Sequence, residues 1–179
     1  HLTANDIATA DFIKGELPSV TFSARFTGGR RYDKLIEYNG EIPIDLDKKT
    51  PEELARISEA VTGSPFTHIS FTSPKGNGYK LTVQTSLPDG TLPQSPEEVR
   101  NYHAHAYDQV AALYEELCQT DIDESGKDMT RICYLPHDEN VYLNPAPQVL
   151  IIDLNHPLRE KKKKTPGRKK PASATTDTT

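Results

Sequence analysis

The chain has 179 residues, 35% of them hydrophobic and 26% charged, and carries a net charge of -5. That length fits one domain with a real core, and the composition is that of an ordinary soluble protein. No apolar run approaches the roughly 18 residues a membrane span needs, and no signal-peptide pattern opens the chain, so no membrane partner is expected.

Cys118 and Cys133 are the only cysteines, and no C-x-x-C occurs. They are too few for a disulfide framework or a structural zinc site, so they read as reduced core thiols in a cytoplasmic protein. The first residue is His1 rather than Met, which marks the chain as a fragment or a trimmed protein. Charge is unevenly spread. Residues 159–170 hold eight basic residues against Glu160, which leaves -11 for residues 1–158. The expected division is therefore a folded domain over 1–158 and a basic, disordered tail or linker over 159–179.

In chain order, a weak helix is predicted over 5–16 and a strand over 20–26. Residues 41–47 form the next strand, with Ile42, Ile44 and Leu46 turned to one face and Asp45 and Asp47 to the other. Thr50-Pro51-Glu52-Glu53 is a helix start: a hydroxyl cap, Pro at the first position and Glu at the third. Leu54, Ile57 and Val61 make that helix's apolar face. Strands follow over 66–72 and 79–85, joined by Ser73-Pro74-Lys75-Gly76-Asn77-Gly78. Ser95-Pro96-Glu97-Glu98 opens a second helix in the same way. Its buried face is Val99, Ala106, Val110, Leu113 and Leu117, with Tyr102, Tyr107 and Tyr114 as core and rim. Short strands are expected over 131–135 and 149–153.

From 41 to 135 the order is strand, helix, strand, strand, helix, strand. That is an α+β fold with a ferredoxin-like (RRM-like) split β-α-β core, preceded by an extra helix and strand. In that topology the end of strand 41–47, the turn 73–78 and the segment before Arg131 share one sheet edge. Asp45, Asp47, Lys75, Lys80, Asp123, Asp128 and Arg131 meet there. Two carboxylates side by side on one face repel unless a cation separates them, and hard oxygen ligands select Mg²⁺ or Mn²⁺. Such ions serve phosphoryl transfer. Ser73, Lys75, Gly76 and Gly78 suit a phosphate cradle of backbone N–H groups, with Lys80 adding charge. Taken singly, the acids read as a solvated strand end, the Gly-rich loop as a hairpin turn, and Asp128 with Arg131 as a surface ion pair. His103 and His105 read as surface or partly packed residues, because i, i+2 positions do not share a helix face. His68 and His137 lack ligand spacing.

The segments 17–23, 44–47, 73–80 and 123–135, with Asn144-Pro145, resemble the N-terminal domain of VirE-type proteins. That domain is similar to the archaeo-eukaryotic primase, or primase-polymerase, superfamily. The resemblance implies a palm-like catalytic core that makes nucleotide chains on a DNA template in mobile-element replication. Asp45, Asp47 and Asp128, or Asp123 in its place, would hold the metal. Ser73, Lys75, Gly76, Gly78 and Lys80 would bind the nucleoside triphosphate, with Arg131 on phosphate. Lys80 stands where the wider superfamily usually places a His. A helicase domain or subunit would be a neighbour. Two other functions compete: a non-catalytic single-stranded DNA-binding module, and a metal-dependent nuclease.

Overall fold

A computed structural model describes residues 7–122 and 124–159 of the chain. It is a mixed α+β fold with three helices and several small sheets. Helix α1 spans Ile7–Gly15, and β1 (Ser19–Val20) and β2 (Ala24–Phe26) follow. The strand expected over 20–26 is thus split by a bend. Strand β3 (Leu35–Tyr38) returns antiparallel to β2 after a 3-10 turn at Tyr32–Lys34.

The centre of the molecule is β4 (Glu41–Leu46), α2 (Pro51–Gly63), β5 (Thr67–Thr72), β6 (Tyr79–Ser86) and α3 (Pro96–Cys118). Both expected capping boxes form. Thr50 and Ser95 hydroxyls accept from the backbone N–H of Glu53 and Glu98, whose carboxylates accept from the cap N–H groups in return. β4 and β5 each run antiparallel to β6, so they are parallel to each other, as the α2 crossover requires.

The last strand of the split unit departs from expectation. β7 is only Cys133–Tyr134, and it pairs with β1 in a separate ribbon instead of taking the edge beside β4. A turn at Asp128–Arg131 and Pro136 bracket that segment, leaving little ladder to offer a sheet. The Leu135 N–H donates to the Pro18 carbonyl at 2.8 Å and extends the β1 ribbon. Two further short strands complete the fold. β8 (Tyr142–Leu143) lies on β5, and β9 (Leu150–Ile151) runs parallel to the end of β6.

One face of the β4–β6–β5 sheet carries the core. Ile42, Ile44, Leu46, Leu81 and Val83 are buried with Ile57 and Val61 of α2 and Val99, Ala106 and Val110 of α3. Each such Ile, Leu or Val side chain contributes about 1.5–3 kcal/mol. Leu54 and Leu113 are partly buried, while Leu117 is exposed. α3 is covered on more sides than one apolar stripe predicts, because α2, β4 and the 3-10 turns at Tyr32–Lys34 and Glu124–Lys127 contact it. Tyr102, Tyr107 and Tyr114 are therefore fully buried. The Tyr102 hydroxyl bonds Thr85, and the Tyr114 hydroxyl bonds Thr67 and Ser64.

The same packing corrects the reading of His103 and His105, which are both buried rather than at the surface. His103 Nδ1 lies 3.0 Å from the Tyr38 hydroxyl, and burial pulls its pKa down to about 4. Both cysteines are free, Cys118 buried and Cys133 half-buried. Among the described residues no helix is long and apolar enough to cross a membrane. The expected tail lies outside the described residues except for Arg159.

Candidate active site

The alternation that buries Ile44 and Leu46 turns Asp45 outward, where the β4–β6 register sets it directly opposite Lys80. The Lys80 ammonium donates to Asp45 Oδ2 in a short contact. Asp45 Oδ1 is buried and has no hydrogen-bond partner. Burial pushes the Asp45 carboxyl above the usual carboxylate range. Lys80 opposes that shift, and the neighbouring Asp47 adds to it.

Asp47 lies just past β4 and is exposed. Lys48 follows in the left-handed region, with φ of 59°, and this sharp bend directs the chain into α2. The Gly-rich turn closes against the same end of the sheet. Its Ser73 N–H donates to the Gly78 carbonyl at 2.8 Å, and the Gly76 N–H to the Ser73 carbonyl at 2.8 Å. The Lys49 N–H donates to the Asn77 carbonyl at 2.9 Å and ties the turn to the β4–α2 connection. Gly76 adopts φ of 73°, and Gly78 leaves room that no side chain can take. A β-carbon there would stand 2.8 Å from Asp47 Oδ1, 2.9 Å from Ser73 Oγ and 3.0 Å from the Leu46 carbonyl. Ser73 Oγ is itself buried without a partner.

The third element enters from η-type turn Glu124–Lys127, which Lys127 fastens to α3 through an ion pair with Asp108 at 2.7 Å. Beyond it the Asp128 carboxylate accepts from the Thr130 N–H at 2.9 Å, and its carbonyl accepts from the Arg131 N–H at 3.0 Å. Arg30, from the β2–β3 hairpin, donates to the Thr130 carbonyl at 2.9 Å.

These elements enclose one cavity of about 660 Å³. Asp45, Asp47, Ser73, Lys75, Lys80, Asp128 and Arg131 all line it, so the structure brings together the side chains that sequence placed on one edge. Gly76 and Gly78 shape its turn. Asp123 lies outside the described residues. Lys14, Arg30, Lys48, Asn77 and Tyr134 also line the cavity and were missed. Two had a signal: Lys48 directly follows the Asp-x-Asp strand, and Arg30 follows a Gly-Gly turn. Lys14 had none, since its place depends on the Tyr134 ring, whose centroid lies 5.5 Å from the Lys14 ammonium.

The donor set only partly fits a divalent cation. Asp45 Oδ1 and Ser73 Oγ are buried oxygens without partners beside the Asp47 carboxylate. Among the described residues, however, no three His, Cys, Asp or Glu side chains cluster closely enough to hold a metal ion. Asp128 lines the cavity without joining the Asp45–Asp47 pair.

A family model, the BT4734-like N-terminal domain, matches residues 13–143, and the chain belongs to that family. This corrects the resemblance to VirE-type proteins and the primase-polymerase superfamily, which the match does not support. The motifs behind that resemblance are short, and an Asp-x-Asp strand end or a Gly-rich hairpin arises in many folds for local geometric reasons. No curated protein and no solved structure matches the chain.

Proposed function

We propose that this BT4734-like N-terminal domain is a nucleotidyltransferase that makes or extends primers on a DNA template. One observation carries the proposal: a single cavity joins two strand-borne carboxylates, a Gly-rich turn and the cations Lys14, Arg30, Lys48, Lys75, Lys80 and Arg131. A triphosphate needs that excess of positive charge; the turn forms one wall of the cavity, but the expected cradle is reduced, because the Ser73 and Gly76 N–H groups are spent on carbonyls within the turn. The order β4–α2–β5–β6–α3 supports a split β-α-β core that lacks its usual closing strand.

On this reading a primer 3′-hydroxyl attacks the α-phosphate of a nucleoside triphosphate, the new phosphodiester forms, and pyrophosphate leaves. Lys48, Lys75 and Arg131 hold the triphosphate, and Lys80 holds Asp45 in place. Asp45 and Asp47 would be the protein ligands of Mg²⁺ or Mn²⁺, which supplies charge neutralisation at the transferring phosphoryl group. DNA and nucleoside triphosphates would be the partners.

A second reading is favoured by one feature. Lys80 already neutralises Asp45 and Asp128 stands apart, as suits a module that binds nucleic acid without turning over nucleotide. Incubation with single-stranded DNA and labelled nucleotides, in Mg²⁺ and separately in Mn²⁺, separates the two. Transferase activity yields labelled primers that vanish in Asp45→Ala/Asp47→Ala. Wild-type protein that binds DNA and makes no product in either metal would leave only the module.

A further inference from the structure

A second groove of about 560 Å³ lies behind the β2–β3 hairpin, lined by β1, Arg25, Phe26, Arg30 and Glu37. Arg30 also lines the candidate active site, so the two hollows adjoin. Charge is concentrated along them. Residues 1–158 contain 13 Lys and Arg and 24 Asp and Glu; six of the bases against three acids line the candidate active site, and the groove holds Arg25 and Arg30 against Glu37. In a body of strongly negative net charge, this is a trough of the opposite sign, which focuses on a polyanion.

The hairpin's geometry suits that partner. Gly28 and Gly29 take φ of 64° and 133° with open space beside both, so the tip stands clear of the body. Arg30 is held to the Thr130 carbonyl at 2.9 Å, at the rim of the cavity. Arg25 meets Glu37 at 3.0 Å, but both side chains are more than 60% exposed (69% and 61%), and such a pair is readily exchanged for a phosphate. The half-buried Phe26 ring is the aromatic element on the groove's wall.

We infer that this trough carries a single strand of nucleic acid, its phosphates on Arg25 and Arg30, to the cavity where nucleotide is added. The inference rests on the proposed nucleotidyl transfer, and its test needs neither metal nor nucleotide. Anisotropy of labelled 12-nucleotide single strands, DNA in one arm and RNA in the other, is measured against the full chain over a salt series. Arg25→Gln weakens binding several-fold and lowers the salt slope by about 0.7, the value of one phosphate contact on a single strand. Photo-crosslinking from 5-iodouracil in the strand marks residues 19–39, and whichever nucleic acid binds more tightly identifies the strand. Crosslinks confined to residues beyond 159, an unchanged salt slope in Arg25→Gln, or equal displacement by polyglutamate would each overturn the inference. Binding of a nucleoside triphosphate, followed separately, is unchanged in Arg25→Gln. Loss of triphosphate binding in the wild type with crosslinks intact would instead remove the transfer reading and leave the trough standing.

Discussion

Two carboxylates, the buried Asp108 and the half-buried Asp45, show how differently this molecule treats the same chemical group. Asp108, in α3, is 3% exposed and surrounded by opposite charge: Oδ1 pairs with the Lys127 ammonium at 2.7 Å, an ion contact without hydrogen-bond geometry, and Oδ2 accepts from the Arg159 N–H at 2.9 Å. Arg159 also reaches Glu115 at 2.6 Å, so the end of the described chain is sewn to the helix. Asp45 lines the cavity with Lys80 on Oδ2, while its Oδ1 is buried without a hydrogen-bond partner and the like-charged Asp47 lies close by. An enclosed carboxylate holds structure together, whereas a half-satisfied one stores affinity for something that arrives later.

The largest difference is expected in stability. Asp108→Ala leaves Lys127 and Arg159, themselves 25% and 31% exposed, without their counter-charge and should cost about 1–3 kcal/mol, read as a lower midpoint in urea. Asp45→Asn should change stability by less than about 1 kcal/mol, since relief of its burial offsets the lost attraction to Lys80, yet it should abolish nucleotide turnover. Comparable losses of stability in the two variants would break the comparison.

His103 gives a third case, a group buried in its neutral form. Its folded pKa of about 4 lies below the unfolded value of 6.5, so its contribution is complete above pH 6.5 and is lost as pH falls from 6.5 towards 4. The full span is on the order of 3 kcal/mol. Thermal melts of wild type and His103→Gln across that window test it, and the variant should show the flatter profile.

Smaller effects should appear at the turn and the bend. Gly78→Ala forces Asp47 and Ser73 apart, and triphosphate binding should weaken about tenfold, corresponding to about 1.4 kcal/mol, with the fold retained by circular dichroism. Lys48→Gly releases the left-handed strain at φ 59° and should stabilise the domain by about 1 kcal/mol while weakening the triphosphate. A Lys48→Gly variant that binds triphosphate as well as wild type would remove that lysine from the site.

Much of this architecture was legible because it is local. The caps at Thr50 and Ser95, the inward row Ile42, Ile44 and Leu46, and the meeting of Asp45 with the 73–78 turn all follow from periodicity and hairpin connection. What escaped depends on distant partners. The pairing of β7 with β1 joins residues more than a hundred positions apart, and Arg30 reaches Thr130 across a similar gap. Strand β3 has too short and mixed a sequence to announce itself. His103 was misplaced because its burial is set by Tyr38, not by the spacing of its own helix.

The central claim is that the unpartnered Oδ1 of Asp45 receives a cation together with a nucleotide. A crystal soaked with Mn²⁺ and a nucleoside triphosphate tests it most directly, through the anomalous signal of the metal. The expected result is a peak bonded to Asp45 Oδ1 and the Asp47 carboxylate, with the triphosphate lying along the 73–78 turn. An undisturbed Asp45–Lys80 pair with no peak beside it, in crystals that bind the nucleotide elsewhere, would contradict the claim.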